Sequence, residues 1–297
     1  MGADLCREFA SAREIFEAAD DCLGFNLRRI CFEGPAEQLN DDLISQLAVY
    51  TYSCALIAVM GPERLGTGVL SGYSSGFYAA AHAAGCFDFV AGLELVRKAG
   101  GLLLNAAAED PGAMGVVFGL SAEAVEAICT RIGPVQPAIF NTPRQTVVSG
   151  SIEAVTTALA QAVAQGALDA YRLPAAAAYH STGMRPAARA LATVLADTPL
   201  RAPRTLLISY STLQAVPDGG ALARLLAMQL YSPVRWVELI HLLHRRGIRR
   251  VVEVGPGQML SRTVRWIARG LTAHPLPRAA AVNAYLRQAP GREANRA

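Results

Sequence analysis

The sequence predicts an α/β protein: an α/β-hydrolase-like core with a parallel sheet, carrying an inserted ferredoxin-like α+β subdomain. Three features predict it. A strand-like run ends in Gly72-Tyr73-Ser74-Ser75-Gly76 and passes at once into a helical stretch, the order of a sharp strand-to-helix elbow. Residues 112–176 then run strand, helix, strand, strand, helix, strand, the βαββαβ order of a split unit. Larger α/β units lie on both sides, so 1–111 and 177–297 are assigned to the core. With 297 residues, 52% of them apolar, the chain can fill a large core and a smaller insertion.

The elements follow from spacing. Leu5 to Leu23 repeats apolar residues at helical intervals and ends at Gly24, which predicts one amphipathic helix. A second helix covers Asp42 to Met60, stopped by Gly61-Pro62. TGVLSGY (67–73) is the strand into the elbow, Phe77 to Gly85 the helix out of it, and Phe87 to Ala107 another helix. In the insertion, MGVVFGL (114–120) is strand-like, and SAEAVEAICTR is helical behind Ser121 as N-cap. AIFNTP and QTVVSG form two strands around Pro143; the run after Ser151 is helical, and DAYRLP is the last strand. Beyond it come a helix over 185–197, strand TLLISY (205–210) and helices LARLLAMQL and VRWVELIHLLHRRG. Strand RRVVEVG (249–255) and a helix after Gly255-Pro256-Gly257 complete the order.

Composition excludes several classes. Charged residues make up 17% and the formal net charge is +3, too little to argue for nucleic acid; the arginines of HRRGIRR (244–250) read as a solvated helix end. Six cysteines without C-x-x-C spacing indicate free thiols in a reducing cytoplasm rather than disulfides or zinc. His241 and His244 lie three apart, but no carboxylate or thiol ligand accompanies them. The best apolar run, Leu47 to Met60, has the length of a buried helix rather than a membrane span.

Taken alone, GYSSG has two readings. It is either a tight structural turn or a nucleophile elbow that presents Ser74 to a cleft. The turn at 255–257 likewise reads as plain turn chemistry, or as a strand-to-helix turn offering N–H groups to an anion.

Eight stretches in order resemble one family: FEGPAEQLN (32–40), GYSSG (72–76), FDF (87–89), GAM (112–114), FNTPRQTVVSG (140–150), YHSTGMRPA (179–187), QLYSPVRW (229–236) and EVGPGQML (253–260). The chain resembles the malonyl-CoA:acyl-carrier-protein transacylases and the related acyltransferase domains of polyketide synthases, over nearly its whole length. The resemblance implies an enzyme of fatty acid or polyketide biosynthesis. It would pass an acyl group from coenzyme A to the phosphopantetheine thiol of an acyl carrier protein through an acyl-serine, with no cofactor beyond the acyl-CoA substrate. On that reading Ser74 is the nucleophile and His180 its general base and acid. The N–H of Ser75 is an oxyanion donor, and the main-chain carbonyl of Gln229 orients the imidazole.

The chain departs from the family twice. The family opens with a strand and a G-Q-G-S-Q loop that supplies the other oxyanion donor, whereas MGADLCREF resembles the family segment on the C-terminal side of that loop. The expectation is a start assigned at an internal Met; a crippled protein or a substituting segment are the alternatives. Malonyl-specific members also carry an Arg that pairs with the malonyl carboxylate. Alignment through FDF puts Ala99 there, with Arg97 and Lys98 turned to other faces of the helix. An unclamped carboxylate in a closed pocket is costly, so the expected acyl group lacks one. Tyr73 stands where the family usually has His, and Arg185, Arg189, Arg201 and Arg204 would suit an acidic carrier helix. Two other functions remain open: an acyl hydrolase that clears acyl groups from a carrier, and a non-catalytic homologue.

Overall fold

The run Leu47–Met60 is apolar on every side, and a helix of that kind is stable only when surrounded. It lies in the helix Asp42–Met60, the spine of the larger unit, where Tyr50, Tyr52, Cys54 and Leu56 are buried. Asp41 caps the helix, its carboxylate accepting from the N–H groups of Leu43 and Ile44 at 3.0 Å each. The computed structural model describes residues 1–61, 64 and 68–288. Pro62, expected to stop this helix with Gly61, lies outside the described residues; Gly61 ends it at φ 74°.

The N-terminal helix expected as one piece is two, Ala3–Glu8 and Ala10–Leu23. Phe9 between them is extended at φ −124°, ψ 120°. Periodicity missed the break because both segments turn apolar residues, Leu5 and Phe16 among them, to the same core.

The insertion forms a four-stranded antiparallel sheet of β1 (Gly112–Phe118), β2 (Val135–Thr142), β3 (Gln145–Ser151) and β4 (Asp169–Arg172), in the order β2-β3-β1-β4. Helices Ala122–Ile132 and Ile152–Ala164 belong to the same unit, capped by Ser121 and Ser151, whose Oγ atoms accept from the N–H of Ala124 and Ala154 at 3.3 Å. Val117, Val125, Ile128, Val148 and Val155 fill a separate small core. The ferredoxin-like insertion therefore carries its own packing.

The parallel sheet of the larger unit is pieced together from short pairings. Leu70 bridges Leu207 in parallel: the Leu70 N–H donates to Leu206 O at 2.8 Å, and the Ile208 N–H to Leu70 O at 2.9 Å. β5 (Arg250–Glu253) pairs in parallel with β6 (Thr272–Pro275). The strands expected over TGVLSGY and TLLISY thus shrink to bridges at Leu70, Leu207 and Ile208, since their flanks find no ladder partner among the described residues. Thr67 of the first lies outside the described residues. β6 was not foreseen, because Thr-Ala-His-Pro has neither alternation nor a β-branched run; pairing with β5 makes it a strand. A last helix, Ala279–Arg287, was missed as well.

The two units are joined by main-chain bonds. The Phe140 N–H donates to Val234 O at 3.0 Å and the Val234 N–H to Ala138 O at 2.8 Å. β2 is thereby tied to the segment before helix Trp236–Arg245, and the insertion is fixed beside the elbow.

Candidate active site

Ser74 sits at the turn between Leu70 and the helix Gly76–Ala83, at φ 50°. A non-glycine residue in the left-handed region costs roughly 1–2 kcal/mol, so the surrounding structure must hold it there. Gly72 shows how. A Cβ on it would lie 2.3 Å from the Phe77 nitrogen and 2.4 Å from the Gly76 carbonyl carbon, so only glycine lets the chain pass. Gly76 is different: a Cβ there meets open space, so the close approach is at Gly72 alone.

The fold brings His180 to Ser74 across 106 residues, with Nε2 2.8 Å from Oγ. The imidazole is buried and its backbone also left-handed, at φ 59°, pinned by its N–H to Leu230 O at 3.0 Å. Nδ1 lies 3.0 Å from two main-chain oxygens, those of Gln229 and Ser232. Carbonyls only accept, so Nδ1 carries the proton and Nε2 faces Ser74 as a lone pair. The tautomer a general base needs is therefore imposed by the backbone. Burial lowers the His180 pKa below its ordinary 6.5, the two carbonyl bonds opposing in part. At neutral pH the ring is uncharged.

Gln229, directly after the helix Gly219–Met228, is 3% exposed. Its main chain meets His180 and its side-chain oxygen accepts from the Tyr210 hydroxyl at 3.2 Å. Ser75 begins the helix after the elbow; its side chain caps nothing, and its N–H donates to no acceptor among the described residues. Tyr73 also lines the cavity beside Ser74, its hydroxyl donating to Asn141 Oδ1 at 2.6 Å and its ring meeting Trp236 edge-on, which ties the elbow to β2.

Ser74, Ser75, His180 and Gln229 open into a cavity of ≈ 260 Å³. Part of the lining is apolar, from Ala99, Leu103, Met114, Ile139 and Leu230, and part is polar, from Asp42, Ser45, Gln46 and the tyrosines Tyr73, Tyr78 and Tyr179. Ala99 is 2% exposed, on the helix Phe89–Glu109. Arg97 points outward to Glu94 at 2.7 Å and Lys98 is exposed, so neither reaches the cavity. Among the described residues no Lys or Arg lines it, and Asp42 is its one carboxylate.

Other sequence features resolve differently. The N–H groups after the turn at 255–257 are taken by the chain's own Glu253, whose carboxylate accepts from Leu260 at 3.0 Å and Ser261 at 2.8 Å. No external anion is needed there. Among the described residues no cluster of three or more His, Cys, Asp or Glu forms a metal site, His241 and His244 included. Sequence reasoning missed Ser232, Asn141, and the pair Asp42–Tyr179. Ser232 acts through a carbonyl that every residue has, so no residue-type signal could mark it. Asp42 and Tyr179 are 137 residues apart and meet only in the fold.

Residues 1–296 match the acyl transferase domain family. The chain is 33% identical over 290 residues to the malonyl CoA-acyl carrier protein transacylase of Escherichia coli K12, covering 96% of this chain and 94% of that protein. The Haemophilus influenzae protein of the same description is 34% identical, with 96% and 93% covered. Among solved structures, a type II polyketide synthase acyl-carrier protein in complex with its malonyl-transacylase superimposes with a TM-score of 0.92 at 32% identity, covering 96% of this chain and 94% of that one. The transacylase of Coxiella burnetii gives 0.91 at 32%, with 96% and 92% covered.

Proposed function

The chain belongs to the acyl transferase domain family, and from that premise we propose that it carries an acyl group without a free carboxylate from coenzyme A to the phosphopantetheine thiol of an acyl carrier protein, by way of an ester on Ser74. The observation that carries the reading is the 2.8 Å contact between Ser74 Oγ and a His180 whose other nitrogen is committed to two carbonyls. Ser74 Oγ attacks the thioester carbon while Nε2 takes its proton. The tetrahedral oxyanion draws on the free Ser75 N–H, and its collapse expels the coenzyme A sulfur, which receives the proton from Nε2. The carrier thiol then repeats the sequence in reverse: it gives its proton to Nε2, attacks the ester carbon and releases Ser74, which takes the proton back. The thioesters are substrates, and no further cofactor enters.

The choice of acyl group rests on Ala99 and Asp42. A carboxylate brought to this cavity finds no cation and one like charge. Two such charges about 4 Å apart near a protein surface repel by about 4 kcal/mol. The test is the intact mass of the protein after brief incubation with malonyl-, acetyl- and propionyl-CoA, beside Ser74→Ala. An adduct present in the parent, absent in the variant and discharged by a holo-carrier supports the transferase. Fastest labelling by malonyl-CoA ends the non-carboxylated part of the proposal. Labelling by none of the thioesters ends the acyl-serine route, and an adduct lost to water before any carrier can take it identifies an acyl hydrolase.

A further inference from the structure

The polar end of the cavity has an unusual balance of donors and acceptors. Asp42 is the first residue of the spine helix, and three neighbouring donors are directed onto it. Ser45 Oγ donates to its main-chain oxygen at 3.2 Å and Gln46 Nε2 to the same oxygen at 2.9 Å, while the Tyr179 hydroxyl donates to Oδ2 at 2.6 Å. Burial raises the Tyr179 pKa, so this hydroxyl keeps its proton at neutral pH. Oδ1 receives no donor, and no Lys or Arg forms an ion pair with Asp42, among the described residues. The side-chain donors of Ser45, Gln46 and Tyr179 are thus committed to Asp42, which leaves Oδ1 as an unmatched acceptor on a residue that lines the cavity. The same cavity is lined by the apolar side chains of Ala99, Leu103, Met114 and Ile139.

We infer that Asp42, oriented by Tyr179, is a specificity residue that selects acyl groups bearing a hydrogen-bond donor, an amino or hydroxyl group, beyond the thioester carbonyl. This rests on the acyl-Ser74 reading above. An apolar acyl group fills the wall but leaves Oδ1 unmatched; a carboxylated one places an acceptor and a negative charge against it; a donor-bearing one satisfies both sides. Tyr179 adjoins His180 in sequence, so the residue that orients the specificity carboxylate is fixed to the same main chain as the base.

Four thioesters with one backbone test the inference: propionyl-, 3-hydroxypropionyl-, 3-aminopropionyl- and malonyl-CoA. The rate of Ser74 acylation is read by quenched intact-mass analysis. The expected result is acylation by the hydroxy or amino compound about tenfold or more faster than by propionyl-CoA, with malonyl-CoA slowest. Asp42→Asn keeps an accepting oxygen and removes the charge, so a preference for the amino compound falls to near unity while a preference for the hydroxy compound persists in part. Asp42→Ala removes both preferences, and circular dichroism and thermal unfolding of each variant verify that it is folded. Tyr179→Phe lowers the ratio without abolishing labelling. If propionyl-CoA acylates Ser74 as fast as the donor-bearing compounds, or if their ratio is unmoved in Asp42→Ala, the inference is overturned while the acyl-enzyme stands. If no thioester labels Ser74, both fall together.

Discussion

The two ends of the cavity are built by different means. At the reacting end, geometry is held by the backbone: Ser74 and His180 both in the left-handed region, a glycine where a Cβ would strike main chain, and an imidazole oriented by two carbonyls. At the other end, the lining is set by which side chains stand there: Ala99, Asp42, Gln46 and Tyr179. Main-chain geometry survives most substitutions, and a side-chain lining changes with each one. The chemistry of such a site is therefore hard to alter and its substrate easy, which is the basis for proposing a different acyl group in a chain that matches the family over residues 1–296.

The largest effect should come from breaking the reacting end. Ser74→Ala removes the oxygen proposed to form the ester, and acyl transfer should fall on the order of 10⁴-fold or more, with no adduct in the mass spectrum. Stability should change by little, since the small side chain is partly exposed. A variant retaining covalent labelling would show that another residue is the nucleophile.

Breaking the acyl end should redirect rather than abolish activity. Ala99→Arg places a guanidinium in the cavity, and a bidentate pair with a carboxylate should raise malonyl over propionyl acylation by about 10- to 100-fold. Asp42 would compete for that guanidinium, so the gain should be larger in Ala99→Arg with Asp42→Asn than in the single variant. Equal ratios in the single variant, the double variant and the parent would mean that position 99 does not meet the acyl group.

The same division decides what could be read from the sequence. GYSSG and the caps at Ser121 and Ser151 are local, and each stands where its spacing put it. Ala99 was located by alignment through FDF, and helical register, at 100° per residue, set Arg97 and Lys98 on other faces. Of the short strands of the larger unit, β5 was legible within RRVVEVG, but Leu70 and Leu207 pair over one bridge, and β6 is a strand only because β5 lies beside it. Neither the second carbonyl on His180 nor the contact of Asp42 with Tyr179 was legible, since these depend on chain segments 52 and 137 residues apart.

Acid should act on the reacting end through His180. His180 must be neutral to accept a proton, and burial holds its pKa below 6.5. The acylation rate should therefore stay level as pH falls past 6.5 and drop about tenfold per unit only below the depressed value. The same shift sets a sign for stability. Between the native pKa and 6.5 the unfolded chain binds more protons than the native protein, so unfolding free energy decreases as pH falls through that window. His82, also lowered by burial, adds to the loss. Denaturation midpoints in urea from pH 7.5 to 5 check this; a midpoint that rises on acidification would contradict a neutral buried imidazole.

The smallest effect tests whether main chain or side chain does the work at the reacting end. Ser75 comes directly after the proposed nucleophile, yet its hydroxyl caps no helix N–H, whereas its own N–H has no acceptor among the described residues at the helix start beside Ser74. Ser75→Ala keeps that N–H and should leave acylation within about threefold of the parent, since losing an oxyanion donor would instead cost about 100- to 1000-fold. Ala is also a better helix former than Ser, so thermal stability should hold or rise slightly. A fall as deep as that of Ser74→Ala would assign the second hydroxyl a chemical role, and the reacting end would then depend on side chains just as the acyl end does.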